Sequence, residues 1–470
     1  MIFSSLFFIC IFLPITLILY YIVPWKFKNV LLLIASLIFY SWGEPVLVLL
    51  MIFSIVFNYL SGLQMSYLEQ MENYKLRKIF FIVTVAVNIA VLCFFKYEAF
   101  FTRTVNSVFG ADITVHEIGL PTGISFYTFQ ILSYIIDVYW GNVPTQRNII
   151  DFGTYVTMFP QLIAGPIVRY DDIRQQLRHR TLSLAKTADG AAWFIKGLAK
   201  KVLLANNIGM LHDAVFAIPA SERAAMTTLL GVIAYTFQIY FDFSGYSDMA
   251  IGLGKMLGFK FVQNFDYPYI SKSVTEFWRR WHISLGTWFR EYVYIPLGGN
   301  RVSTLKHIRN IMIVWALTGF WHGAAWNFLI WGLYYGVLLI IEKYLLKKIL
   351  PALPSVVQHI YTIILFVIGW LIFCSDSLAG LGQNIASLFG GLGNGFADSA
   401  TGYFFITNLL LLILCVLLST PLIRNLFLRF AGKRGTVHQV VAAVVYMLLF
   451  AVSICYLVNS TYNPFLYFRF

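Results

Sequence analysis

Long apolar runs separated by short polar links recur along the whole chain. A helix rises about 1.5 Å per residue, so about 20 apolar residues cross the hydrocarbon core of a bilayer. Runs bounded by charge, Pro or Gly predict helices near 2–23, 29–43, 46–63, 79–96, 120–140, 151–167, 190–215, 226–243, 310–331, 328–347, 357–375, 404–427 and 438–458. The pattern predicts an all-α, polytopic integral membrane protein with about 10 to 13 membrane helices.

One of these runs contains residues that interrupt a helix. Pro160 and the pair Gly165-Pro166 lie within the run 151–167. Proline lacks the backbone N–H that a helix needs, and an irregular backbone is tolerated at membrane depth only where protein buries it. We therefore expect re-entrant segments among the membrane helices.

Two longer segments are polar. The segment 245–310 is the least hydrophobic, and we expect it to lie along or dip into one face of the membrane, which its lysines and arginines make strongly basic. The segment 376–402 is rich in Gly and Ser and predicts a plain loop. Its glycine run lacks the Lys-Ser/Thr pair of a phosphate loop, so we assign it no nucleotide role.

Composition and charge agree with a membrane protein. Of 470 residues, 59% are hydrophobic and 12% are charged, whereas a soluble domain is about half apolar and a quarter charged. The net charge of +13 sits in short blocks. Cytoplasmic loops rich in cations, in contact with anionic membrane lipids, explain these blocks better than nucleic-acid binding does. Five scattered cysteines predict neither a disulfide framework nor a metal site.

The amino-terminal run predicts a membrane helix that is retained. It extends from Met1 to Pro24 without a basic leader or a small-residue cleavage signal, unlike a secretory signal peptide. Lys26 and Lys28 follow directly. Because cations accumulate on the cytoplasmic side, they favour a cytoplasmic first loop and an outside amino terminus.

His322 is the most informative single residue. From Asn310 to Ile341 there is no Asp, Glu, Lys or Arg, and His322 is the readily titratable group in that run. At membrane depth an ionisable ring must face the protein interior or a water-filled path. Because imidazole both accepts and donates protons near neutral pH, we expect a proton-handling site here. The alternative is a core histidine bonded to a neighbouring helix.

A second segment alternates cations with aromatic rings. It reads Phe-Trp-Arg-Arg-Trp-His at 277–282 and continues through Arg290 to the Gly-Asn-Arg of 299–301. Guanidinium and indole groups together can hold an anionic, partly aromatic ligand. An amphipathic helix at the membrane interface would explain the same composition.

A short echo links two apolar runs, Tyr-Thr-Phe-Gln-Ile at 127–131 and again at 235–239. Helical spacing puts Gln130, Ser133 and Asp137 on one face, and Gln238 and Asp242 on another. Five residues do not establish a duplication.

In combination these motifs resemble the membrane-bound O-acyltransferase family. The residues that carry the resemblance are Trp-Arg-Arg-Trp-His at 278–282, Gly-Asn-Arg at 299–301, Phe-Trp-His-Gly at 320–323, the segment 158–170 and the terminal 464–470. They look most like the bacterial branch that includes the membrane subunit of alginate O-acetyltransferase, peptidoglycan O-acetyltransferase and the D-alanyl-lipoteichoic-acid transferase. The resemblance covers nearly the whole length.

The resemblance implies a single membrane-embedded acyltransferase domain, 1–470, with helices around a central tunnel. Its parts would be amino-terminal helices 1–118, a catalytic core 119–375, and carboxyl-terminal helices with a tyrosine motif, 376–470. His322 would be the general base and His282 an assisting or structural residue. The substrate-binding candidates are Arg279, Arg280, Trp281, Arg290, Arg301, Trp321, Gln130 and Arg169. No bound cofactor or metal is implied; acetyl-CoA or an acyl-carrier protein would be the donor substrate.

The resemblance also implies a role for the chain terminus. Tyr467 would carry the acyl group as a phenolic ester; a tail anchored at the membrane interface is the alternative. A periplasmic or extracellular partner with an esterase-like domain would complete O-acetylation of a polysaccharide, and the protein would be a multi-pass protein of a bacterial inner membrane.

Other functions stay open at this point. One is D-alanyl transfer to teichoic acid. Another is a polytopic transporter without acyl chemistry, which the Pro-broken helices and the intramembrane Asp137, Asp242 and Asp248 would suit. A scaffold subunit that tolerates loss of both His282 and His322 is a third.

Overall fold

The computed structural model describes residues 1–116, 118–163, 165–430, 436–464 and 466. Within these ranges all regular structure is helical, and no strand is present. This confirms the all-α prediction.

Most described helices coincide with a predicted apolar run, but two runs are broken: 310–331 ends as a helix at His322, and 404–427 is divided among three short helices. In chain order the described helices are α1 Leu13–Ile22, α2 Lys28–Ser41, α3 Val48–Gln70, α4 Tyr74–Phe109, α5 Ile124–Trp140, α6 Ile149–Thr157, α7 Phe159–Leu162, α8 Tyr170–Arg178, α9 Leu184–Ala199, α10 Asn206–Phe216, α11 Ala225–Met256, α12 Val274–Arg280, α13 Ile283–Phe289, α14 Thr304–His322, α15 Trp326–Tyr344, α16 Ser355–Cys374, α17 Leu378–Leu388, α18 Ser399–Thr407, α19 Leu409–Leu418, α20 Leu422–Phe430 and α21 Thr436–Asn459. Single π-helical turns precede α1 and follow α9 and α13: Phe8–Phe12, Lys200–Ala205 and Arg290–Tyr294.

Several helices have the length and composition of membrane spans. Among the described residues, α3, α4, α16 and Gln439–Asn459 of α21 are long and apolar enough to cross a membrane. The pair α18 and α19, bent by 58°, makes up to five. The apolar helices identify a membrane protein. The count of about 10 to 13 crossings included shorter and broken runs, and it stays a prediction.

The chain divides into two compact units. Unit 1 comprises Met1–Phe194 with Ser247–Val262, and unit 2 comprises Ile195–Tyr246 with Gln263–Phe470. The division into parts at 1–118, 119–375 and 376–470 stays a prediction.

Polar side chains join the apolar helices of unit 1. Asn58 of α3 and Asn88 of α4 exchange amide hydrogen bonds of 3.0 and 2.7 Å, and both side chains are buried. Arg77, at the start of α4, donates to the backbone oxygens of Val138 and Tyr139 at the end of α5. Such bonds specify how apolar helices pair, because lipid offers these groups no alternative partner.

In unit 2, α14 and α15 form a closely packed helical hairpin. Gly319 of α14 lies against the backbone oxygen of Phe328, and Gly332 of α15 lies against that of Trp315, so a side chain at either glycine would collide with the facing helix. Small residues at such contacts let two helix backbones approach. The hairpin fixes the position of His322, the last residue of α14.

The structure corrects one sequence-based prediction and confirms another. The segment 376–402 is not a plain loop, because it contains α17: the Ser377 hydroxyl caps its first turn, and Leu381, Asn384 and Ser387 are buried along one face. Its small residues hid this pattern. The predicted break in 151–167 is present: α6 ends at Thr157, and Pro160 lies in the first turn of the short helix α7.

Candidate active site

His322 lies inside the protein rather than against lipid. Its side chain is at the end of α14, and only 5% of its surface is exposed. The rings of Trp331 and Phe373 meet the imidazole edge-to-face, with centroids 4.9 and 5.4 Å away. This confirms the prediction that the ring faces the protein interior, which is where a membrane protein can hold an ionisable group.

Trp321 connects the two histidines of the predicted site. Its ring centroid lies 5.0 Å from that of His322 and 5.8 Å from that of His282. The indole is 4% exposed. The structure therefore brings three predicted site residues, His282, Trp321 and His322, into one buried cluster.

His282 is held by its neighbours in a defined orientation. Nδ1 lies 3.2 Å from Oδ1 of Asn264, and the same oxygen accepts hydrogen bonds from the backbone N–H and the hydroxyl of Ser284. An amide oxygen only accepts, so the Nδ1 of a neutral ring donates and Nε2 carries the lone pair. Phe243 packs against the ring at 4.6 Å.

The short helix α12, which leads to His282, is anchored by a carboxylate from α15. Glu342 is 6% exposed. It accepts hydrogen bonds from the backbone N–H of Val274 (2.6 Å) and from the N–H and hydroxyl of Thr275 (2.8 and 2.6 Å). A negative charge at the first turn of a helix meets unpaired N–H groups and the positive end of the helix dipole. Glu342 thereby fixes the start of α12.

Four of the five candidate arginines lie in the segment 279–301 and divide into two pairs. Arg280 is bonded to Glu276 and Asp266, and Arg290 to Glu291. Arg279 and Arg301 are exposed. Trp281 lies between Arg280 and Arg290 in the sequence and is 3% exposed. Its ring centroid is 4.7 Å from that of Trp370, within an aromatic core. The cations and rings that alternate along the sequence therefore differ in burial: Arg279, Arg290 and Arg301 are exposed and Arg280 is partly exposed, whereas Trp281 is buried.

Two further candidates belong to unit 1. Gln130 is fully buried on α5, and neither of its side-chain polar atoms has a hydrogen-bond partner among the described residues. Arg169 precedes α8 and forms an ion pair of 3.0 Å with Asp172, whose carboxylate also accepts the Arg169 backbone N–H.

Comparison of the sequence with known proteins identifies the family of the chain. Residues 142–377 match the family model described as membrane-bound O-acyltransferase. The chain is 40% identical to a probable alginate O-acetylase of Azotobacter vinelandii, with 100% of each chain covered. It is 46% identical to one of Pseudomonas aeruginosa over 80% of this chain and 73% of that protein. The chain belongs to the membrane-bound O-acyltransferase family.

More distant relatives include a peptidoglycan O-acetyltransferase of Helicobacter pylori, 34% identical over 80% of this chain and 78% of that protein. A teichoic acid D-alanyltransferase of Streptococcus thermophilus is 31% identical over 48% of this chain and 57% of that protein. The matched region of the family model contains all of α6 to α16 and therefore both histidines. This chain is accordingly a membrane-bound O-acyltransferase that uses an acyl donor.

Described residues near the carboxyl terminus contact side chains of unit 2. Tyr467 itself lies outside the described residues. Upstream of it, the tail segment (residues 460–464 and 466) bonds to buried polar groups. The Leu466 N–H donates to Oδ2 of Asp242 at 2.9 Å, and Lys201, paired with Oδ1 of Asp242 at 2.8 Å, donates to the Pro464 carbonyl. The Tyr462 hydroxyl donates to Asp213 at 2.5 Å.

Sequence reasoning missed the residues that support the site. Asn264 orients His282 but belongs to no recognisable motif. Glu342 carried a signal, because it is the acidic residue that ends the charge-free run of α15. Lys201 carried no such signal, because its partner Asp242 is distant in the sequence and an ion pair between distant residues is visible only in the folded structure.

Proposed function

We propose that this acyltransferase moves acetyl groups from a cytoplasmic thioester to an extracytoplasmic polysaccharide, with His322 as general base. The observation that carries the proposal is full-length similarity to probable alginate O-acetylases at 40% identity. Another relative is named a peptidoglycan O-acetyltransferase. We further propose a bacterial inner-membrane location for the protein.

The buried imidazole of His322 suits the proposed chemistry. The acceptor hydroxyl gives its proton to His322, its oxygen bonds to the thioester carbonyl carbon, the C–S bond breaks, and the leaving thiolate recovers a proton from the imidazolium. General-base assistance of this kind contributes about 10²–10⁴-fold. His282, oriented by Asn264 and separated from His322 by Trp321, acts as a positioning residue.

Arg279 and Arg301 supply exposed guanidinium groups that suit an anionic donor. Both acetyl-CoA and an acylated carrier protein carry phosphate at the far end of the pantetheine arm whose other end forms the thioester, and guanidinium groups bind phosphate through paired, charge-assisted hydrogen bonds. Arg280 and Arg290 already hold carboxylates, so Arg279 and Arg301 are the better candidates for this contact.

We propose that Tyr467 relays the acetyl group. A phenol deprotonated by His322 attacks the thioester, the C–S bond breaks, and the leaving thiolate takes the proton from the imidazolium. The resulting aryl ester then passes its acetyl group to a hydroxyl of an extracytoplasmic, esterase-like partner, and the proton of that hydroxyl goes to the leaving phenolate. The bonds of the tail segment to Lys201 and Asp242 support this proposal. Asp242 directly precedes Phe243, whose ring packs against His282, so the tail segment is held next to a helical turn that contacts the histidine cluster.

A turnover assay with purified protein in lipid nanodiscs tests the enzyme. With radiolabelled acetyl-CoA or acetylated carrier protein and an acceptor, His322→Ala should lower acetyl transfer by about 10²–10⁴-fold. As a control, His116→Ala, which removes an exposed imidazole, should keep the wild-type rate of acetyl transfer. Transport of substrate into vesicles without any thioester turnover would instead identify a transporter.

The relay needs a separate test. Tyr467→Phe removes one oxygen and should abolish acetyl export while leaving His322-dependent thioester cleavage by water or added hydroxyl acceptors. Intact-mass analysis of the wild-type carboxyl-terminal peptide should detect an added acetyl group. Full export by Tyr467→Phe would refute the relay and leave the acyltransferase assignment standing.

A further inference from the structure

Unit 1 contains a basic cavity away from the histidine cluster in sequence. It has a volume of about 520 Å³. Its walls come from the link after α1, from the end of α8 to the start of α9, and from the chain just after α11. The residues that line it are Trp25, Gln176, His179, Arg180, Thr181, Lys186, Gly258 and Lys260.

The charged residues that line this cavity are all basic. Arg180, Lys186 and Lys260 carry permanent positive charges, and His179 adds a titratable ring. None of the described residues that line the cavity is a carboxylate. Three like charges around one space repel each other, and an anion between them removes that cost.

Arg180 is built into the protein rather than lying on its surface. It is 8% exposed. Its Nε donates to the Tyr20 hydroxyl at 2.7 Å, and Nη1 donates to the backbone oxygens of Gln176 and Leu177 at 3.1 and 3.2 Å. The Phe259 ring lies 4.5 Å from its guanidinium carbon. The group is therefore fixed in place before any ligand arrives.

One donor of Arg180 is left over. Its Nη2 is buried and has no hydrogen-bond partner among the described residues. A guanidinium carries five N–H donors, and leaving a charged donor buried without an acceptor is costly. An oxyanion in the cavity would satisfy it.

The residues next to the cavity are of the types found at the level of lipid headgroups. Trp25 is exposed and directly follows the first apolar segment, with Lys26 and Lys28 next to it. Tryptophan and cations mark the interface of a membrane, and anionic lipids there attract basic groups. Lys28 is itself buried against the Tyr20 ring, 4.5 Å from its centroid, which adds positive charge behind Arg180.

We propose that this cavity binds a phosphate group. Arg180 supplies a fixed guanidinium, Lys260 supplies an exposed ammonium group, and Lys186 supplies an ammonium that donates to the hydroxyl and carbonyl oxygens of Thr181. The Thr181 hydroxyl keeps its own proton to donate, and these groups together match a tetrahedral oxyanion. The phosphate belongs either to the headgroup of an anionic phospholipid or to a water-soluble molecule. Phosphate binding in this cavity does not depend on the proposed acyl-transfer chemistry.

Calorimetric titration of the detergent-solubilised protein tests the site. The probes are short-chain phosphatidylglycerol, short-chain phosphatidylcholine and inorganic pyrophosphate. Lys186 and Lys260 are exposed, so Lys186→Gln/Lys260→Gln leaves packing intact. Each lysine near an anionic surface contributes about fivefold in affinity, so the double variant should bind about 30-fold more weakly. The control Lys272→Gln/Lys306→Gln removes the same charge from exposed positions of unit 2 and should bind like wild type.

The probes distinguish the two sources of phosphate. Binding of phosphatidylglycerol that the first double variant loses and the control retains assigns the cavity to a lipid headgroup. The same loss for pyrophosphate alone assigns it to a water-soluble phosphate. The proposal would be overturned if wild type and Lys186→Gln/Lys260→Gln bound all three probes equally well, or if neither protein bound any of them.

Discussion

At the scale of single residues, the orientation of His282 depends on one amide oxygen. Oδ1 of Asn264 receives three donors, from His282 Nδ1 and from the N–H and hydroxyl of Ser284. His282 also adopts a left-handed backbone conformation with φ of 46°, which a non-glycine residue maintains at a cost of about 1–3 kcal/mol. The surrounding hydrogen bonds stabilise this conformation.

Removing that oxygen should damage the site. Asn264→Ala removes the acceptor shared by three buried donors, the Nδ1–H of His282 and the N–H and hydroxyl of Ser284, and each lost hydrogen bond costs about 1–3 kcal/mol. We expect a lower thermal unfolding midpoint together with slower acetyl transfer. The matched control is Asn425→Ala, at an exposed position of α20. Equal midpoints and rates for the two variants would show that Asn264 positions nothing.

At the scale of elements, the carboxylate of Glu342 couples α15 to α12. Its two oxygens hold the first turn of α12, which carries Arg279 and Arg280 and leads into His282. Helix α15 also packs closely on α14, which ends at His322. One helix therefore contacts both α14 and the helix that leads into His282.

Glu342→Gln should loosen α12. The variant keeps the shape of the side chain but loses its charge, and charge-assisted bonds at a helix start contribute up to about 2 kcal/mol. We expect a lower unfolding midpoint and faster hydrogen exchange at the amides of 274–276. Glu222→Gln, at an exposed position, is the control. Unchanged exchange in 274–276 would contradict the coupling.

A second link between elements depends on pH. Near the start of α14, before the apolar run, the His307 ring is bonded to the Tyr294 and Tyr344 hydroxyls at 2.8 and 2.6 Å. Burial, and then the charge of Lys343, lower the pKa of His307. Between its unfolded pKa of about 6.5 and this lower folded value, the unfolded chain binds more protons, so stability falls as the pH falls.

This predicts a specific acid sensitivity. Between pH 7.5 and pH 5.5 the unfolding midpoint of wild type should fall further than that of His307→Gln, which has no proton to gain. Thermal unfolding in detergent at both pH values measures it. Parallel losses in the two proteins would show that other groups cause the acid sensitivity.

The sequence predicts the elements of this fold better than the contacts between them. The run 357–375 corresponds to α16 at Ser355–Cys374, and 438–458 to α21 at Thr436–Asn459, because twenty apolar residues leave little choice but a helix. Helix α17 was missed, since its glycines and serines lower the apolar signal. His282 and His322 were found because each lies in a distinctive motif, whereas Asn264 and Glu342 act through partners that only the fold brings close.

At the scale of the whole molecule, one buried ion pair joins the beginning of unit 2 in the sequence to the tail segment. Lys201 and Asp242 are each 3% exposed, and both also bond the backbone of the tail segment. Removing one partner of such a pair leaves an uncompensated charge and costs about 3–5 kcal/mol.

Lys201→Met should therefore destabilise the protein and release the tail segment. We expect a lower unfolding midpoint and faster cleavage of the chain terminus by carboxypeptidase, with the amino-terminal helices unaffected. Lys272→Met, at an exposed position, serves as control. A tail that resists cleavage as well in Lys201→Met as in wild type would show that the ion pair does not hold it.

The most direct test of the whole account is the O-acetyl content of surface polysaccharide from cells whose own copy of this protein is replaced by a variant. With equal protein levels in the membrane, His322→Ala should reduce O-acetyl groups to the level of cells lacking the protein, and His116→Ala should leave them at the wild-type level. Wild-type O-acetylation in cells that carry His322→Ala would contradict the assignment of His322 as the base of acetyl transfer.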